Sequence, residues 1–176
     1  MNNLKSTEGA YKTAFAQSRK RLQSLEPETI ENASQCDFDR QRGRFYFTSF
    51  GHKIEISYPE GIISLSDGTS TLPVYWSLIL LNYLSSSKAQ PLANEMVSYR
   101  DLPLGNVFFP NLNISVIQVL SNFYTDCDHN KLQDVLHKLG FTLVKSKADL
   151  AVDGFFAPRV PVMIRFWAGD DEIPSS

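Results

Sequence analysis

Apolar residues recur along this chain at two spacings, and the switch between them marks its elements. Over residues 7 to 25, Ala10, Ala14, Phe15, Leu22 and Leu25 keep roughly helical spacing, with Lys12, Arg19, Lys20 and Arg21 between them. Glu26-Pro27 closes that helix. Pro27 suits the first turn of a shorter second helix reaching about Cys36, because its missing N–H has no intrahelical partner there. From Arg44 the period drops to two. Phe45 and Phe47, then Ile54, Ile56 and Tyr58, alternate with polar residues around Gly51-His52, which predicts a β-hairpin. A short strand over residues 62 to 65 follows, closed by Asp67-Gly68.

Thr71 is placed to cap a helix over residues 72 to 85. In it Val74, Tyr75, Trp76, Leu78, Ile79, Leu80, Leu81, Tyr83 and Leu84 leave almost no polar face, so a central position is expected. Residues 85 to 90 read as a loop, residues 96 to 100 as a strand, and Asp101-Leu102-Pro103-Leu104-Gly105 as a turn. Leu112, Val116, Val119, Leu120 and Phe123 form one helical stripe. Leu132, Val135, Leu136 and Leu139 form another, stopped by Gly140. Strands return over residues 141 to 144, 150 to 156 and 161 to 167, and Pro161 must begin the last one or lie at a sheet edge. This order predicts an α+β fold, an antiparallel or mixed sheet meander packed against several helices. The length fits a single domain over residues 1–176.

Composition narrows the classes. A net charge of -2 lacks the basic excess that neutralising phosphates requires, so nucleic acid is not an expected partner. The longest apolar stretch, residues 72 to 84, falls short of the roughly 17 to 25 residues that span a bilayer. Cys36 and Cys127 stand far apart with no secretory signal before them, which predicts reduced thiols in a cytoplasmic protein.

The chemistry on offer is thin. Asp170, Asp171 and Glu172 follow Gly169 at a strand end, where they read either as a hard-cation site or as a solvated acidic turn. Tyr99-Arg100-Asp101 places an arginine able to hold an anionic group in a bidentate fork. It reads equally as an internal ion pair with Asp149, Asp153 or the terminal acids. His52, His129 and His137 form no ligand set and read as surface histidines. Phe108, Phe109, Phe123, Tyr124, Phe155, Phe156 and Trp167 read as core, or as the lining of a ligand pocket. Nucleotide-loop, nucleophile-elbow and Cys-x-x-Cys patterns are missing from the sequence.

Val97-Ser98-Tyr99-Arg100-Asp101-Leu102-Pro103, Pro158-Arg159-Val160-Pro161 and the run from Phe166-Trp167-Ala168-Gly169 through Asp170 to Pro174 resemble the family catalogued as domain of unknown function 3786. Leu25-Glu26-Pro27-Glu28, Tyr58-Pro59-Glu60-Gly61 and Leu80-Leu81-Asn82-Tyr83-Leu84 extend the resemblance over most of the chain. The family is typical of strict anaerobes. Some relatives carry an added cysteine-rich iron-sulfur segment, which implies a setting in corrinoid or one-carbon metabolism and makes a corrinoid a cofactor to consider. Two cysteines cannot supply the four thiolates of a cluster, so no iron-sulfur cluster is expected within this chain. Ile173 stands where relatives commonly show an aromatic residue, and the family pattern usually continues beyond Pro174, so a tail that covers the acidic turn is expected to be missing after Ser176.

The expectation is an accessory or ligand-binding module whose partner is a protein or a small molecule. The alternative is a metal-assisted enzyme, with Asp170, Asp171 or Glu172 as metal ligand or base and Arg100 holding an anionic substrate. The candidate binding residues are Tyr99, Arg100, Asp101, Trp167, Asp170, Asp171 and Glu172.

Overall fold

The two-residue period that starts at Arg44 becomes a four-stranded antiparallel meander. Its strands are β1 (Asp37–Asp39), β2 (Arg44–Ser49), β3 (His52–Ser57) and β4 (Ile63–Leu65), in that spatial order. Phe45 pairs with Ile56 and Phe47 with Ile54, so these side chains share one face, and all four are buried. Ser49 faces His52 across a two-residue turn, Phe50-Gly51, whose members both have positive φ (43° and 74°). That backbone matches the twist of paired strands, and it sets the turn one residue earlier than Gly51-His52. The Phe50 N–H donates to Phe155 O (3.0 Å), and its ring packs 5.5 Å from Phe156 and 6.1 Å from Trp76.

The structure is a computed structural model and describes residues 2–68, 72–93 and 95–169. The chain divides into two units, Met1–Pro91 with Phe155–Pro161, and Leu92–Gly154 with Val162–Ser176. In the first, α1 (Asn2–Gln23), α2 (Pro27–Ser34) and α3 (Val74–Ser86) cover the meander. Pro27 opens α2 as expected. Leu22, Ile30, Cys36, Phe45, Ile54, Ile56, Leu80, Leu81 and Leu84 form the sealed centre, each contributing on the order of 1.5–3 kcal/mol where a large side chain leaves water. The all-apolar α3 is not central along its whole length. Its second half supplies Leu80, Leu81 and Leu84 to the core, whereas Val74, Tyr75 and Ile79 are exposed. Its N-cap is Pro73, which offers no side-chain bond, and the expected cap Thr71 lies outside the described residues.

The second unit departs most from the sequence pattern. No strand forms over residues 96 to 100. A 3₁₀ turn spans Tyr99–Asp101, because the Ser98 hydroxyl accepts the Arg100 N–H (3.3 Å) and curls the backbone. The first helical stripe starts earlier than Leu112, at α4 (Gly105–Leu112), and continues through a π-turn (Asn113–Ile117) into α5 (Gln118–Asp126). Pro110 sits inside α4 and withholds one N–H from the helical ladder just before the π-turn. Asp128 caps α6 (His129–Lys138) by accepting from the N–H groups of Asn130 and Lys131. A second sheet has the order β5 (Thr142–Leu143), β6 (Leu150–Ala157), β7 (Val160–Phe166), which puts Pro161 on an edge strand. The core of this unit is Tyr124, Leu132, Leu136, Phe141, Leu150, Ala151, Val152 and Phe166. Phe108, Phe123 and Trp167, read as core aromatics, are instead 51%, 55% and 43% exposed. With two antiparallel sheets among its helices the fold is α+β. No helix among the described residues is long and apolar enough to cross a membrane.

Candidate functional site

Arg100 makes no ion pair with Asp149 or Asp153, and the terminal acids also considered for it lie outside the described residues. The Arg100 guanidinium carbon lies 3.8 Å from the centroid of the Phe109 ring, a cation–π contact. Among the described residues no carboxylate pairs with it. Asp149 instead accepts the Ala168 N–H (2.7 Å), and Asp153 Oδ1 is buried without a hydrogen-bond partner. The stack depends on Gly105, because a Cβ there would collide with the Tyr99 carbonyl oxygen. Tyr99 and Asp101 flank Arg100 on the same turn, both exposed.

At the end of β7, Asp149 N–H donates to Phe166 O (3.0 Å) while its carboxylate holds Ala168 N–H, so one residue pins both sides of exposed Trp167. Asp170, Asp171 and Glu172 lie outside the described residues. Among the described residues no group of three or more His, Cys, Asp or Glu side chains is placed to hold a metal ion.

Beside this strand end lies a cluster that the sequence does not announce. The His129 imidazole stacks on the Tyr124 ring (4.4 Å, 7°), and Tyr124 stacks on Phe166 (4.6 Å, 15°). His129 Nε2 lies 3.0 Å and Cys127 Sγ 3.5 Å from the same oxygen, the Tyr124 carbonyl. Both groups act there as donors to a carbonyl in the last turn of α5, where the helix leaves acceptors unsatisfied, so the pair caps the helix end. Burial, then the charges of Asp149 and Cys127, pushes the Tyr124 hydroxyl pKa up. The one signal in the sequence is Asp128, a helix cap standing between Cys127 and His129. Stacking across to Phe166 has no local signature.

The motifs that carry the family resemblance have structural work in the first unit. The Tyr58 hydroxyl donates to Leu25 O (2.9 Å) and joins two of them. Gly61, at φ 63°, leaves room that a Cβ would fill 3.1 Å from Arg19 Cγ and Leu81 Cδ1. Asn82 Oδ1 accepts from Ser18 Oγ (2.6 Å) and Arg21 Nη2 (2.7 Å), tying α3 to α1. The Tyr83 hydroxyl donates to Ser34 O (2.5 Å) and accepts the Arg159 N–H (3.1 Å). The Arg159 guanidinium then donates to the carbonyl oxygens of Ala33, Lys88 and Gln90, fastening the end of α2 to the segment after α3. Each of these motif residues meets backbone or a scaffold side chain.

These contacts belong to an α+β protein. The family model for Domain of unknown function (DUF3786) matches residues 26–176, and the chain belongs to that family. No match is found among the curated proteins or the solved structures.

Proposed function

We propose that the protein is a non-catalytic binding module and that its binding element is the α4–α5 run. One observation carries this reading: residues 102 to 125 contain no Asp, Glu, Lys, Arg or His, yet Leu104, Val107, Phe108, Ile114, Val119 and Phe123 are all exposed. Soluble monomers rarely leave more than a few hundred Å² of contiguous apolar surface in water, and larger patches mark interaction sites. The motif residues of the first unit support the same reading, since they are spent on internal hydrogen bonds. Binding at such a face is driven by removing apolar surface from water and takes nothing from charge.

An environment-sensitive apolar dye tests this. The native protein enhances its emission, and Phe108→Ser combined with Phe123→Ser removes most of the enhancement while the thermal unfolding midpoint stays put. Equal dye binding by the double variant overturns the reading. An anaerobic, corrinoid-linked setting rests on the family resemblance alone, and metal-assisted catalysis rests on Asp170, Asp171 and Glu172. Calorimetry under anaerobic conditions with cobalamin, then with Mg²⁺, Mn²⁺ and Ca²⁺, removes each of them if no heat is released.

A further inference from the structure

We infer that the occupant of the α4–α5 face is a second copy of this chain, so that the protein works as a two-fold dimer; the inference rests on the binding-module reading above. In a two-fold interface the same patch lies on both sides, so a charge close to the axis meets its own like charge. The segment from Leu102 to Thr125 has no Asp, Glu, Lys, Arg or His of its own and so brings no such repulsion to the axis. One charge that the structure sets against this run is Arg100, stacked on Phe109 of α4.

The polar residues of the run point the same way. Asn106, Asn111, Asn122 and Gln118 are exposed among the apolar side chains. A carboxamide carries both donors and an acceptor, so it can satisfy its own copy without a different partner residue. Area is sufficient too. Leu104, Val107, Phe108, Ile114, Val119 and Phe123, exposed by 51–68%, present on the order of 700 Å², close to the ~800 Å² that each side of a standard interface contributes. Val119 and Phe123 are four residues apart on α5 and stand above one another, the pattern that helices interleave when they pack.

Sedimentation equilibrium of the full chain, from low micromolar to about 100 μM, tests the inference over the range where an interface of this size associates. Twice the chain mass is expected at the top of the range. Phe108→Glu and Phe123→Glu, each at an exposed position, are expected to weaken association at least tenfold, with circular dichroism unchanged and the unfolding midpoint unchanged when measured at a concentration where the chain is monomeric. Mixing Phe108→Glu with Phe108→Lys is expected to restore part of it. A chain that stays monomeric to 100 μM, or a dimer indifferent to these variants, overturns the second copy as occupant. The dye separates the two failures: a monomer that still binds it through Phe108 and Phe123 keeps the binding face and loses only the dimer, whereas a monomer that ignores it loses both.

Discussion

In the first unit Phe45, Ile54 and Ile56 are fully sealed, whereas in the second Leu104 and Val107 stand 68% exposed. Similar side chains have opposite surroundings because the first unit supplies two layers. A sheet with one apolar face meets helices with one apolar stripe, and each hides the other. The α4–α5 run leaves many of its apolar residues exposed, and it has no charged residue before Asp126 to keep them wet. Polar groups divide the same way. Tyr58, Asn82, Tyr83 and Arg159 are engaged in hydrogen bonds, whereas exposed Arg100 is held against an aromatic ring. The first unit thus hides its large apolar side chains in one sealed centre, and the second leaves many of its own in water.

The largest expected effect comes from truncating the sealed centre. Phe45→Ala removes a fully buried ring that packs 4.5 Å from Phe38 and edge-on to Tyr58, and should cost about 3–5 kcal/mol in urea unfolding. Phe108→Ala, at a half-exposed ring of the same type, should stay within about 0.5 kcal/mol at a concentration where the chain is monomeric. Comparable losses for the two variants would erase the contrast between the units.

A smaller effect is expected where the second unit is itself well packed. Gly154 lies under the Phe141 ring, and a Cβ would come within 2.6 Å of Phe141 Cδ1 and 3.0 Å of its Cγ. The near edge of the ring cannot swing clear, so Gly154→Ala should destabilise by about 1–3 kcal/mol, the usual cost of overpacking. A neutral Gly154→Ala would show that the second unit is loosely held even at its core.

How far the sequence could be read follows the same division. The meander was legible because alternation at Phe45, Phe47, Ile54 and Ile56 reports a single buried face. Gly140 and Pro27 marked helix ends for backbone reasons that no tertiary contact overrides. The central placement of α3 and of Phe108 and Phe123 misled, since apolar character reports what a side chain prefers and not whether a partner within the chain is there to provide it. The strand expected over residues 96 to 100 failed because the bond from Arg100 N–H to the Ser98 hydroxyl decides that backbone locally. At the candidate site, Arg100 was visible by type but its perch on Phe109 was not, and the stack of His129, Tyr124 and Phe166 joins residues far apart in the chain.

The smallest effect concerns protons, and it probes how tightly the first unit is sealed. Burial pushes the Cys36 thiol up to about 12, with the Asp37 charge adding to this and the Ser34 hydrogen bond opposing it. Burial likewise takes the Tyr83 phenol to about 12. Both groups are neutral acids when protonated, so a folded value above the unfolded one favours folding fully below the unfolded pKa, and that advantage is lost as pH rises toward the folded one. For Cys36 the loss begins near 9.0, and for Tyr83 near 10.0. The unfolding midpoint should therefore fall from pH 9 upward, beyond what exposed lysines impose. Cys36→Ala should flatten the curve between pH 9 and 10 and leave the Tyr83 decline above 10. Parallel curves for the two proteins would mean that water reaches Cys36 in the folded state, and the contrast between a sealed first unit and an open second one would have to be redrawn around that leak.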